Sequence, residues 1–388
     1  MTQTALGFLG IMTGRRNGYP PISEPDFYSQ LCTAAPLYGL RALVFHPEGV
    51  AGGGDTISGY TYSGGQWEQT VAASPDILYN RCLNSAPQEK RAAAAAVAAL
   101  PRSIPWSRGL PDKWSVHRIL RRSRKAALLL PETRLYAGPE DLRERLEQRT
   151  EGLFLKPAAG LHGKRSVHVR RSTDREAGTI VIRGRDGANQ VFHHTFNSMN
   201  DSLRWIQQFI GRRRYIIQPY LHLTDSQGHP FDVRVLMQKN GRGVWALTGM
   251  AVRLGGRGAL TSNLHGGGTA VQAQSYLLGE YGTSGEALLR ELTTAAVLLP
   301  PLLEAACGRL GELGLDFGID RTGRIYLLEA NSKPGRTVFC LSGDRRAARL
   351  AAENPLRYAR HLLLTRGAGC NRTARSAPLM TEDEINGS

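Results

Sequence analysis

The stretch LGLDFGIDRTGRIYLLEANSKPGR, from Leu313 to Arg336, decides how this chain is read. It has the pattern of a β-hairpin. One strand runs from Gly314 to Asp320, and a turn containing Arg321, Thr322 and Gly323 follows. A second strand, rich in branched and aromatic residues, runs from Arg324 to Asn331. With a four-residue loop, Asp316 falls opposite Glu329, and Asn331, two residues on, leaves the same face as Glu329. Two carboxylates facing each other across an antiparallel pair repel and destabilise the sheet. A divalent cation removes that cost, and three hard oxygen donors left partly uncoordinated suit Mg²⁺ shared with phosphates. The competing reading is a hairpin whose polar residues face solvent.

The bulk composition sets the frame. At 388 residues the chain has room for about two or three domains. A hydrophobic content of 41% and a charged content of 21% describe a soluble globular protein, and no apolar run approaches the ~18 residues of a membrane span. The first residues, MTQTALGFLGIMTGRR, lack a positive n-region and read as a strand, not a signal peptide. Cys32, Cys82, Cys307, Cys340 and Cys370 are odd in number and widely spaced, which suits reduced thiols and a cytoplasmic protein. The formal charge is +16, yet only seven of the 49 basic residues are lysine. A basic surface attracts anionic partners. The arginine clusters at Arg121–Arg124 and Arg212–Arg214 have no interleaved aromatics, so they read as solvated faces and not as a nucleic-acid interface. Arginine was evidently the easy choice, which makes each lysine informative. Lys113, Lys156 and Lys333 all fall inside motifs.

Three regions and a tail follow from the pattern. Residues 1–108 alternate strand and helix, with strands expected at Ala5 to Met12 and Ala42 to His46, a helical stretch from Pro25 to Tyr38, and a strand from Asp76 to Arg81. That alternation predicts a small open parallel sheet. The glycine-rich stretch from Val50 to Gly65 reads as a mobile connection, and Gln88 to Leu100 as an alanine-rich helix. The second region spans 109–215 and the third 216–365. Residues 366–388 are polar, aperiodic and expected to be disordered.

Several motifs have chemical potential. Lys156 closes an apolar run in GLFLKPAAGLHGKRSVHV, and Gly160 and Gly163 open a turn before the next strand. Two strands joined by small residues can fold over a triphosphate, although an ordinary hairpin loop fits equally. Lys113 opens the amphipathic helix PDKWSVHRILRR, whose inner face holds Trp114, Val116, Ile119 and Leu120. A lysine in a first helical turn suits a nearby anion; the alternative is a solvated lysine beside Asp112. In YIIQPYLHLTDSQGHPFDVRVLMQ, a strand with free backbone groups near Tyr220 and Leu221 could read an adenine edge, and Gln218 is its polar interruption. Asp232 and Arg234 share a face of the next strand, as a simple ion pair also would. Arg253 leads toward TSNLHGGGTA, with Asn263 and His265 ahead of three glycines that allow close backbone approach. His265 reads better as a hydrogen-bonding spacer than as a general base.

Taken in order, Lys113, Lys156 with its glycine loop, the Gln218–Leu221 strand, Asp232 and Arg234, Asn263, and the Asp316/Glu329/Asn331 triplet followed by SKPG resemble an ATP-grasp domain over roughly 109–365. PDILYNR, DKW, FDVRVLMQ, TSNLHGGGTA and LLEANSKPGR are similar to the YheC/YheD-type proteins associated with endospore coats. The SNLH…GG stretch also resembles glutamate ligases of the RimK type. The resemblance implies an α/β (α+β) fold, with a small N-terminal pre-ATP-grasp domain followed by the two lobes of the grasp. It further implies that Lys113, Lys156, Gly160 and Gly163 hold ATP phosphates, and that the backbone of Tyr220 and Leu221 binds adenine while Gln218 or Asp232 approaches the adenosine. Asp316, Glu329 and Asn331 would bind one or two Mg²⁺ ions, with Mn²⁺ as a substitute. Arg234, Arg253, Asn263 and Arg336 would contact the transferred phosphate or the acceptor. Gln218 replaces a common glutamate, and Thr261 and Gly266 stand where RimK-type ligases usually carry arginines.

These parts imply a carboxylate–amine ligase working through an acyl phosphate, with a carboxylate substrate and an amine acceptor of the peptide or amino-acid kind, in the cytoplasm or on the spore. Such phosphoryl transfer needs in-line positioning and charge cancellation more than covalent help from protein. Two alternatives stay open: a kinase on the same scaffold that phosphorylates a hydroxyl, and a nucleotide-binding coat protein without turnover.

Overall fold

The computed structural model describes residues 5–83, 86–160, 163–172, 179–259, 262 and 268–373. Three sheets organise them. The first is six-stranded: β1 (Gly7–Met12), β2 (Leu40–Val50), β3 (Thr56–Ser63), β4 (Gln66–Ala73), β5 (Ile77–Asn80) and β6 (Ile104–Pro105), in the order β4-β3-β2-β1-β5-β6. Strands β2, β1, β5 and β6 are parallel, as the alternation predicts. β1 lies between parallel neighbours and is almost wholly buried, as a strand covered on both faces must be. Helix α1 (Pro25–Ala34) packs on one face with Leu9 and Ile11, and α2 (Pro87–Ala99) is on the other with Phe8 and Met12.

The glycine-rich stretch departs from expectation. Residues 56–63 form β3, which pairs antiparallel with both β2 and β4, so the sheet is mixed and not purely parallel. One glycine serves packing here: a side chain at Gly54 would strike the carbonyl of Ala99 at the end of α2, and Gly54 itself has φ +75°.

α3 (Lys113–Leu120) and α4 (Arg124–Ala127) lead into the second sheet. Its strands are β7 (Arg134–Leu135), β8 (Leu153–Pro157), β9 (Val167–Arg171), β10 (Ile180–Arg185), β11 (Val191–Phe196) and β12 (Tyr215–Pro219), ordered β11-β10-β9-β8-β12-β7. α5 (Pro139–Glu147) and α6 (Met199–Ile210) cover one face through Leu142, Leu146, Leu203 and Ile206. The opposite face is left for the third sheet to approach.

That sheet, β15-β14-β13-β16-β17, comprises β13 (Phe231–Lys239), β14 (Trp245–Leu254), β15 (Thr269–Gln272), β16 (Glu312–Ile319) and β17 (Ile325–Asn331). α7 (Ala273–Tyr281) and α8 (Ser284–Cys307) pack in the largest core with Val116 and Leu120 of α3. α9 (Thr337–Leu341) and α10 (Arg345–Thr373) lie on its other side, joined by Leu236, Val338, Phe339 and Ala351. α10 also enters the core of the first sheet through Leu356, Tyr358 and Ala359. It therefore runs past the expected start of a disordered tail at 366; residues 374–388 lie outside the described residues. Among the described residues no helix is long and apolar enough to cross a membrane.

Candidate functional site

The hairpin of β16 and β17 does place Asp316 opposite Glu329, and Gly314 opposite Asn331. It reaches that register by another route. Ile319 pairs with Ile325, so the loop has five residues, 320–324, and a bulge between the two pairs Asp316–Glu329 and Phe317–Leu327 makes up the difference. Asp320 builds the turn by accepting from the N–H groups of Thr322 and Arg324 at 2.9 and 3.0 Å. The bulged residue, Leu328, sits out of the ladder, as a bulge requires. Its carbonyl accepts a bond of 3.1 Å from Nζ of Lys156 on β8. The bulge thus supplies the acceptor that draws a second-sheet lysine across to the third sheet.

Lys113 arrives from the other side. Asp112 caps α3 by accepting from the Ser115 N–H at 2.8 Å, which sets Lys113 in the first turn. The Lys113 ammonium donates to the Gly160 carbonyl at 2.6 Å and lies 3.3 Å from Glu329. Val116 and Leu120 are buried as expected, whereas Trp114 stacks on His117.

Asp316 is not left facing an unneutralised Glu329. Arg234 of β13 grips both of its oxygens, and Arg253 of β14 reaches it at 2.9 Å. Arg253 in turn holds Asp232 through two bonds of 2.6 and 2.7 Å, and Ser262 adds a third at 2.7 Å. Burial alone would raise the Asp316 carboxyl, but the Arg234 and Arg253 guanidiniums outweigh it and hold it down at about 2. The four side chains are each less than 10% exposed, a buried alternation of acid and base. Asp316 is therefore balanced by arginines of β13 and β14, and Glu329 by Lys113 of α3. Asp232 is committed to orienting Arg253.

Between the second and third sheets lies a narrow cleft. Lys113, Lys156, Gln218 and Glu329 gather on its polar side, and Leu120, Leu130, Leu327 and Leu328 make apolar wall. Gln218 is fixed by a 2.8 Å bond to Thr133. Burial pulls the Lys156 ammonium down to about 8; Glu329 and Asp316 oppose the shift and Lys113 adds to it. Tyr220 and Leu221 line a separate, more open cleft with Glu151, His222 and the 320–322 turn. Their backbone is less free than expected: the Tyr220 N–H donates to the Gly152 carbonyl, and the Leu221 carbonyl accepts from Leu223.

Comparison with known proteins now decides the family. The YheC/D like ATP-grasp profile matches residues 105–362, about two-thirds of the chain and every element of this site. The chain belongs to that family. This ATP-grasp protein is 31% identical over 320 residues to endospore coat-associated protein YheC of Bacillus subtilis (strain 168), covering 81% of this chain and 86% of that one. Its fold is similar to that of D-cycloserine synthetase DcsG, with a TM-score of 0.53, 14% identity, and 92% and 99% of the two chains covered. It is also similar to N5-carboxyaminoimidazole synthase from Aspergillus clavatus in complex with ADP and 5-aminoimidazole ribonucleotide, with a TM-score of 0.53, 11% identity, and 90% and 76% covered.

Two further residues named from the sequence lie away from this cleft or outside the described residues. Arg336 is buried away from the cleft, bonded to Glu312, to Tyr79 at 2.8 Å and to the carbonyls of Pro334 and Ala351. Asn263, together with Thr261, His265 and Gly266, lies outside the described residues. Gly163 is described, at φ +68°, and its carbonyl accepts from Ser166 at 2.7 Å. The sequence reading missed Glu312, which is fully buried and carries Tyr79, Arg81, Gln238 and Arg336. A signal was available, because residues 312, 314 and 316 share one face of a strand.

Proposed function

We propose that this chain is an ATP- and Mg²⁺-dependent carboxylate–amine ligase that works through an acyl phosphate. The observation that carries the reading is the convergence of Lys113 and Lys156 on the Glu329 strand, at the polar end of an otherwise apolar cleft. In this reading the phosphates lie against the two ammoniums and the base against the apolar wall. The ADP-bound Aspergillus neighbour, similar in fold, supports a nucleotide as the occupant.

The oxygen donors fit a hard divalent ion. Glu329 and Asn331 are both partly open to solvent. Asp316 accepts three donors, fewer than the roughly four lone-pair sites of a carboxylate. Among the described residues no three His, Cys, Asp or Glu side chains form a metal cage, so phosphate oxygens would complete the shell, as is usual for Mg²⁺. Bound there, the ion would neutralise charge on the phosphates as they transfer.

The protein's own groups do the rest. Lys113 and Lys156 hold the phosphate tail in line, and Arg234 and Arg253 fix Asp316 and Asp232 in place behind it. A substrate carboxylate oxygen forms a bond to the γ-phosphorus while the bond to ADP breaks. An amine nitrogen then attacks the acyl carbon, phosphate leaves with the acyl oxygen's bonding pair, and the nitrogen loses its proton. No bond to the protein forms at any step. Incubating the protein with Mg-ATP and pooled amino acids and coat-type peptides should yield ADP, phosphate and amide-linked adducts by mass spectrometry. A stable phosphoester instead would make it a kinase, and ATP-dependent thermal stabilisation with no ADP under any acceptor would make it a non-turning-over binder.

The Lys156 ammonium sets a pH dependence with a definite sign. It is charged below about 8 and neutral above, and a polyphosphate binds the charged form. ATP should therefore bind best below that pH and weaken by up to about tenfold per unit above it. Binding near that pH should take up protons, which calorimetry in buffers of different ionisation enthalpy measures. Equal heats in all buffers would remove Lys156 from the phosphate site.

A further inference from the structure

On sequence grounds Arg121 to Arg124 form a solvated face, and the structure gives that face more character. Between Asp112 and Glu132 the chain has no acidic residue. Arg118, Arg121, Arg122, Arg124 and Lys125 are all exposed there. Among the described residues none of these five forms an ion pair, the nearest paired cations along the chain being Lys113 and Arg134. Other surface helices answer their arginines within a turn: Arg143 with Glu140 and Arg145 with Asp141 on α5, Arg204 with Asp201 on α6, and Arg290 with Glu286 on α8. The second arginine cluster is also relieved, because Arg214 lies 3.6 Å from Asp112. Like charges left together in one short stretch repel, a cost that an anionic partner removes.

The apolar residues of the stretch say which anion. Val116 and Leu120 turn α3 into the largest core, so Trp114, Arg118 and Arg122, spaced four apart, share its outward stripe. Trp114 is half-buried with its ring stacked on His117, which spends one face of the indole and makes it a poor platform for a nucleic-acid base. Leu128, just past α4, is 72% exposed, and Val297 on α8, the helix packed against α3 and α4, is 52% exposed. A nucleic-acid backbone or a purely acidic polypeptide answers the charges and leaves Leu128 in water. A lipid surface takes both, with the cations at the headgroups and the leucine and indole at the acyl boundary.

We infer that the outer face of α3 and α4 is a peripheral membrane contact selective for anionic lipid. It lies on the bilayer surface and needs no spanning helix. Lys113, the first residue of the same helix, reaches into the cleft between the second and third sheets, so docking sets that cleft about two helical turns from the headgroups. The contact does not depend on the ligase reading.

Co-sedimentation of the full chain with phosphatidylcholine vesicles, with and without phosphatidylglycerol, tests this. The wild type should pellet with the anionic vesicles only, and added salt should release it. A cation near such a surface is worth about fivefold in partitioning, so Arg118→Gln combined with Arg122→Gln should weaken binding about 25-fold. Leu128→Gln keeps every charge and should still weaken it about tenfold. All three positions are exposed, so circular dichroism and urea midpoints should match the wild type. No pelleting of the wild type, or undiminished pelleting of either variant, would overturn the contact. Binding of polyglutamate or single-stranded DNA that Leu128→Gln leaves intact, without vesicle binding, would overturn it too and assign the face to that partner.

Discussion

Glu329→Gln is expected to slow ATP turnover by ~10²–10³-fold, the scale of losing one charge-stabilising group from a preorganised site. The substitution keeps the shape of the side chain and removes its charge. Lys113 then loses the carboxylate it sits 3.3 Å from, and a metal loses the most accessible anionic donor of the hairpin. Because the Glu329 side chain is 25% exposed, the fold should lose little, about 0–1 kcal/mol. Lys156→Ala should act on the same step with a similar loss, and it should also abolish the proton uptake on nucleotide binding. The measurement is ADP release under saturating Mg-ATP, with circular dichroism confirming the fold. Wild-type rates in both variants would dismantle the assignment of the cleft.

Glu312→Gln addresses stability. Glu312 is fully buried, and its carboxylate receives Tyr79 at 2.7 Å, Arg81 at 3.0 Å, Gln238 at 3.1 Å and Arg336. Neutralising it leaves two guanidiniums buried against each other, with only Glu24 of Arg81 as counter-charge. Breaking a buried pair by removing one partner costs about 3–5 kcal/mol, so the urea midpoint should fall sharply. The loss should appear in the first sheet as well as the third, since Tyr79 and Arg81 lie at the end of β5. A drop no larger than a surface pair gives would mean that water already reaches this network.

The two variants separate what was legible from what was not. Hairpin, turn and facing carboxylates follow from period-two alternation and an Asp-Arg-Thr-Gly turn, which are local properties, and the structure agrees with the pairing of Asp316 and Glu329. The bulge at Leu328 left no mark in the pattern because Leu327 and Leu328 are both apolar and either could have faced inward. The glycine-rich segment at 50–65 misled for a related reason. Gly54 and Gly59 reflect close approach to Ala99 and to Val44 of β2, a demand that only the packed partner reveals.

The chain by itself determined its alternation of strands and helices, the order of its lysines, and the face each acid occupies, because these depend on neighbours a few residues away. Which charge answers which was decided only by the tertiary structure. Asp316 finds Arg234 and Arg253 on strands distant in sequence, and Arg336 is drawn to Glu312. An ion pair depends on distance and burial in space, and those are set once the sheets have packed.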